Sequence, residues 1–105
     1  MDLWDNFFFL VDSGADNTYA DLNIAVWLGI ELEKVKPKTS FGANYKAFVS
    51  YPAKTALSID GYSFTLPIYY TKNFGTRAII GQEIFFDRFK IVFERYEWKL
   101  TMLPK

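Results

Sequence analysis

The chain has 105 residues, half of them hydrophobic and a fifth aromatic, and its twelve basic and twelve acidic side chains cancel to a formal net charge of zero. That length supports one domain with its own core, and the balanced, interspersed charge argues against nucleic acid or an anionic membrane surface as the main partner. There is no His and no Cys, which removes Ser-His and Cys-His nucleophilic pairs, thiol chemistry, disulfides and His- or Cys-based metal sites.

Acid–base chemistry must then come from Asp, Glu, Lys or Tyr, and a pair of carboxylates is the leading arrangement. Residues 1–6 read as a tail or a partial edge strand. Phe7-Phe8-Phe9-Leu10-Val11 follows as a short strand buried on both faces. It runs directly into Asp12-Ser13-Gly14-Ala15. An ionisable Asp at the end of so apolar a strand is costly unless something pairs with it or uses it. Gly14 permits the tight turn and close backbone approach of a site. Taken alone, Asp-Ser-Gly is equally a surface turn.

Asp16-Asn17-Thr18 carries helix-start chemistry, and Asp21–Gly29 reads as a short helix with Leu22, Ala25 and Val26 on one face and Gly29 as its C-cap. The polar stretch 31–46 keeps strand character at Ile30, Leu32 and Val35 up to Pro37. Thr39–Asn44 is turn-rich and Tyr45–Tyr51 is a returning strand, so an extended hairpin with a mobile tip near Gly42 is expected. Pro52-Ala53-Lys54 interrupts the pattern. Asp60-Gly61 then marks a tight turn between Thr55–Ile59 and Tyr62–Leu66, where Tyr62, Phe64 and Leu66 share one face. Pro67 suggests an edge or bulge before Ile68-Tyr69-Tyr70, and Lys72–Thr76 is a loop.

Arg77–Gly81 is a second short buried strand ending at a glycine, Gln82–Phe89 makes one or two helical turns, and Lys90–Glu94 and Trp98–Met102 are closing strands. Many short strands with frequent turns indicate a mostly all-β chain, a small barrel or sandwich. The longest apolar run is too short to span a bilayer. Asp2 and Asp5 stand where a signal peptide would be basic, so the cytoplasm is the expected location.

Two features stand sixty-nine positions apart, from Asp12 to Gly81: an apolar strand entering Asp12-Ser13-Gly14-Ala15, and an apolar strand Ala78-Ile79-Ile80-Gly81 leading into Phe85-Phe86-Asp87-Arg88-Phe89-Lys90-Ile91-Val92-Phe93. Together with Thr18–Ile30 they resemble the retropepsin-like aspartic proteases, particularly the small single-domain prokaryotic type, over roughly residues 7–103. The resemblance implies one domain over residues 1–105, a small closed acid-protease-like β-barrel with one or two short helices. It implies a homodimeric aspartic endopeptidase that needs no cofactor or metal and acts on protein or peptide substrates. Asp12 would be the catalytic residue, facing Asp12 of a second copy, with Ser13, Gly14 and Ala15 supporting the catalytic loop. Phe41, Gly42, Ala43 and Tyr45 would belong to a flap over the substrate, and Ile79, Ile80 and Gly81 would form the structural second motif. Two departures stand out: only eleven residues precede Asp12, fewer than in relatives with an additional N-terminal strand, and Gln82 replaces the Arg or Asn common there. The alternative is a retropepsin-like module that binds peptide or dimerises without cleaving.

Overall fold

The computed structural model describes residues 9–12, 14–41, 45–59, 61–75, 78–94 and 99–105. Phe7, Phe8, Ser13, Gly42 and Ala43, singled out above, lie outside them. Eight strands dominate: β1 (Phe9–Val11), β2 (Thr18–Asp21), β3 (Lys38–Phe41), β4 (Ala47–Ile59), β5 (Tyr62–Thr71), β6 (Ala78–Ile80), β7 (Phe89–Glu94) and β8 (Lys99–Pro104). Two short helices, α1 (Leu22–Leu28) and α2 (Phe85–Arg88), and a 3-10 turn at Leu32–Lys34 complete the described elements. The chain is therefore mostly β, as its composition suggested.

Six strands form one sheet in the order β1-β6-β2-β5-β4-β3, and β7 and β8 pair as a separate hairpin. β1 runs parallel to β6, β6 antiparallel to β2, and β2 parallel to β5. Consecutive strands β1 and β2 are thus not neighbours, because β6 from near the C-terminus lies between them. Among the described residues the ladder does not close into the expected barrel: β1 and β3 are its two edges, and the β7–β8 hairpin shares no ladder with it. The short three-residue β1 pairs on one side only, and β8 takes its hydrogen bonds from β7.

The long β4–β5 hairpin, closed at Ile59↔Tyr62 with Gly61 at φ 82°, is the backbone of the sheet. Pro52 does not interrupt β4. It pairs with Tyr69 beyond Ser50, the last β4 residue facing β3. Pro67 likewise pairs with Lys54 one residue before Ile68, where β2 begins to pair. Both prolines sit where their strand has a neighbour on one side only, the place where a missing N–H is tolerated.

Alternation along β5 sends Phe64, Leu66, Ile68 and Tyr70 into the core, where they meet Ala20, Ala53, Ala78 and Ile80. Phe85 of α2 and Phe89 of β7 close over this inner face, with ring centroids of Phe64–Phe89 at 5.4 Å and Phe85–Phe89 at 5.1 Å. Ile91 and Met102 extend the cover. Each buried Phe here contributes about 3–5 kcal/mol against truncation to Ala.

Two local readings are corrected. Thr18 does not start a helix: Thr18–Asp21 pairs with Ile68–Thr71 as β2, and the helix cap is Asp21, whose side chain accepts the Asn23 N–H at 2.9 Å. Ile30–Val35 is not strand but carries the 3-10 turn, and Ile30, Leu32 and Val35 spend their apolar side chains on the core. The helix end falls where expected, with Gly29 at φ 79°.

Candidate active site

Val11 packs against the core, while its neighbour Leu10 is half exposed on the outer face of the sheet. Asp12 continues the same ladder, its N–H donating to Ile80 O at 2.9 Å. Alternation therefore directs the Asp12 side chain to the outer face with Leu10. The Ala15 N–H donates to Asp12 O at 3.2 Å, closing a tight turn, and the Gly14 N–H donates to Asp12 Oδ1 at 2.9 Å. A Cβ at Gly14 would sit 3.2 Å from that same oxygen, so glycine leaves the amide room to approach the carboxylate.

The second motif is built into this loop. β1 and β6 pair as Phe9↔Ala78, Leu10↔Ile79 and Val11↔Ile80. The chain leaving β6 then folds against the chain leaving the Asp12 turn, with Gln82 N–H donating to Ala15 O at 2.9 Å and Glu83 N–H to Asp16 O at 2.8 Å. Gly81 lies so close that a Cβ would come 2.2 Å from Asn17 O and 2.7 Å from Ala15 O. Its N–H donates to the buried Thr18 hydroxyl at 3.2 Å. Immediately beyond, Ile84 holds φ 67° and ψ −48°, with Phe85 N–H bonded to Glu83 O at 2.7 Å. That tight γ-type turn is strained for a β-branched residue.

The structure thus brings Asp12, Gly14 and Ala15 together with Ile80 and Gly81, while Ile79 sits beside Leu10 on the outer face. It does not bring the flap candidates to them. β3 is the sheet edge opposite β1, and Phe41 and Tyr45 are strongly exposed, at 73% and 90%. Tyr45 also takes a positive φ of 61°. Among the described residues no hydrogen bond or ring contact joins either side chain to the Asp12 turn.

Three contributions escaped the sequence reading. Thr18 has the local pattern of a helix start, yet its hydroxyl anchors Gly81. Asp21 caps α1 as its place at the start of the expected helix implies, but it also accepts the Phe74 N–H at 2.8 Å and the Gly75 N–H at 3.2 Å, and this pinning of the β5–β6 loop to the helix has no local signal. These bonds, the one from Asn23 foremost, hold its carboxyl below the ordinary value of 3.8. Tyr19 stands at the centre of an outer-face aromatic group, 6.0 Å from Phe48, 5.6 Å from Tyr69 and 6.0 Å from Phe74 between ring centroids. Only the strand register, which no local pattern reveals, places these rings on the face that carries Asp12.

No group of three or more acidic side chains gathers in a metal-binding arrangement among the described residues, and no helix among them is long and apolar enough to cross a membrane. Comparison of the chain with protein-family models, with curated proteins and with solved structures gives no match.

Proposed function

We propose that the chain is one subunit of a retropepsin-like aspartic endopeptidase, with Asp12 of two copies meeting at a two-fold axis. The observation that carries this reading is the joining of two stretches remote in sequence: the Asp12 turn and the Ile80-Gly81 strand end share hydrogen bonds and a glycine-only contact. Those are the two stretches on which the resemblance rests. On this proposal the open sheet and its β7–β8 cover make up one acid-protease-like half, completed by a second copy.

The chemistry needs nothing beyond carboxylates. Two of them in contact cannot both ionise, so the pair holds a single proton. The ionised Asp12 takes a proton from a water lying between the two side chains, and that water attacks the scissile carbonyl. The protonated partner donates toward the carbonyl oxygen, and the pair then returns a proton to the leaving nitrogen. No covalent intermediate forms. Within one chain, the Gly14 amide orients the Asp12 carboxylate, and the Ile80 carbonyl fixes the backbone that carries it.

The test is Asp12→Asn. Hydrolysis of an unfolded protein substrate should fall by about a hundredfold or more, with the thermal unfolding midpoint unchanged. Undiminished hydrolysis in that variant would end the carboxylate-pair reading.

A further inference from the structure

The outer face carries one unbroken cross-strand row. Leu10 pairs with Ile79, Ile79 with Tyr19, Tyr19 with Tyr69, and Tyr69 with Pro52. Phe48 and Phe74 flank it through their contacts with Tyr19. None of these side chains belongs to the core cluster or to the residues packed on it, and the Asp12 turn lies at one end of the row. The neighbouring row runs Asp21, Thr71, Ser50, Lys38.

Charge on this face is unevenly divided. Asp21 is taken up by three backbone N–H groups. Lys38 reaches back so that Nζ lies 5.3 Å from the centre of the Tyr69 ring, a placement that fixes an otherwise flexible cation over an aromatic face. Lys54, exposed opposite Pro67, is on the same side of β4 as Ser50 and Pro52. The end of the row remote from Asp12 is therefore positive, and its middle is aromatic.

We propose that this row is a peptide-docking surface in which Lys38, held on Tyr69, selects an acidic side chain of the bound segment. The proposal rests on the endopeptidase reading for its occupant, an extended peptide crossing the strands toward Asp12. From β1 to β5 is three strand steps of about 4.8 Å, and an extended peptide advances about 3.3 Å per residue. The selected Asp or Glu then lies roughly four or five residues from the bond over Asp12, with apolar side chains of the peptide on Leu10, Ile79, Tyr19 and Tyr69. Lys38 is a specificity residue in this account and takes no part in the bond-breaking step.

The experiment measures binding, so that it does not depend on turnover. Fluorescein-labelled peptides with a central Phe-Leu pair, carrying either Glu or Lys about four residues to each side, are titrated into the Asp12→Asn protein at low salt and followed by anisotropy. The Glu peptide should bind roughly fivefold more tightly than the Lys peptide, the size expected of an exposed ion pair. Lys38→Glu should reverse the order, and Lys38→Gln should bring the two together. Equal binding of both peptides, no binding of either, or a Glu preference that survives Lys38→Glu would overturn the proposal. If the preference is present but the unmodified protein hydrolyses neither peptide, the docking surface stands and the endopeptidase reading falls.

Discussion

Thr55 and Tyr70 show how a single proton decides the cost of a substitution. Thr55 Oγ1 donates its only proton to Ala53 O at 3.0 Å, so the contact of 2.9 Å with the Tyr70 hydroxyl must have Tyr70 as donor. Tyr70→Phe then leaves Thr55 with its proton placed and should cost about 1 kcal/mol in urea unfolding. Thr55→Val strands the hydroxyl of a fully buried Tyr70 and should cost more, about 2–3 kcal/mol. The double variant should cost less than the sum of the two singles. Glycine positions near Asp12 differ in the same accountable way. Gly81→Ala drives a Cβ into the rigid Asn17 carbonyl and should destabilise by about 3 kcal/mol or more. Gly14→Ala meets only the Asp12 carboxylate, whose oxygen lies at 3.2 Å from the new atom. Its stability loss should be the smaller of the two in the same unfolding measurement.

Among the elements, α1 and its anchor carry the clearest pH dependence. Asp21 has a carboxyl held below its ordinary value by backbone N–H donors. Its contribution is complete above the unfolded value of about 3.8 and is lost as pH falls through the lower folded value. Asp21→Ala should cost about 1–2 kcal/mol near neutral pH, and its difference from the parent should shrink in acid unfolding below that range. Asp21→Asn keeps a capping oxygen and should cost less. This element was largely legible beforehand, since Asp21 and Gly29 are local signals and α1 begins and ends at them. So was the β4–β5 turn, because Gly61 closes a two-residue connection. What local pattern could not supply was partnership. Thr18–Asp21 carries polar residues suited to a helix start, but parallel pairing with β5 made it strand, and that pairing depends on residues fifty positions away. Pro52 looked like a break because its neighbours on the sheet were unknown. The Asp12 turn and Gly81 were both identified as motifs; their contact follows from β6 entering between β1 and β2.

For the whole molecule, the described sheet has two free edges and a single Asp12 turn at one of them. One chain provides one Asp12 carboxylate, and the proposed chemistry requires two. Of the flap candidates at the opposite edge, the described Phe41 and Tyr45 are exposed and share no hydrogen bond or ring contact with the Asp12 turn of their own chain, so on the proposed reading a second copy completes the cleft. Activity should accordingly belong to the dimer and disappear on dilution below its dissociation constant. The most direct measurement mixes unmodified and Asp12→Asn subunits at fixed total concentration, equilibrates them, and follows peptide hydrolysis against composition. If each site needs Asp12 from both copies, the rate falls as the square of the unmodified fraction, to about a quarter in an equal mixture. A linear fall, to about half, would mean that each chain works alone and would contradict the shared site.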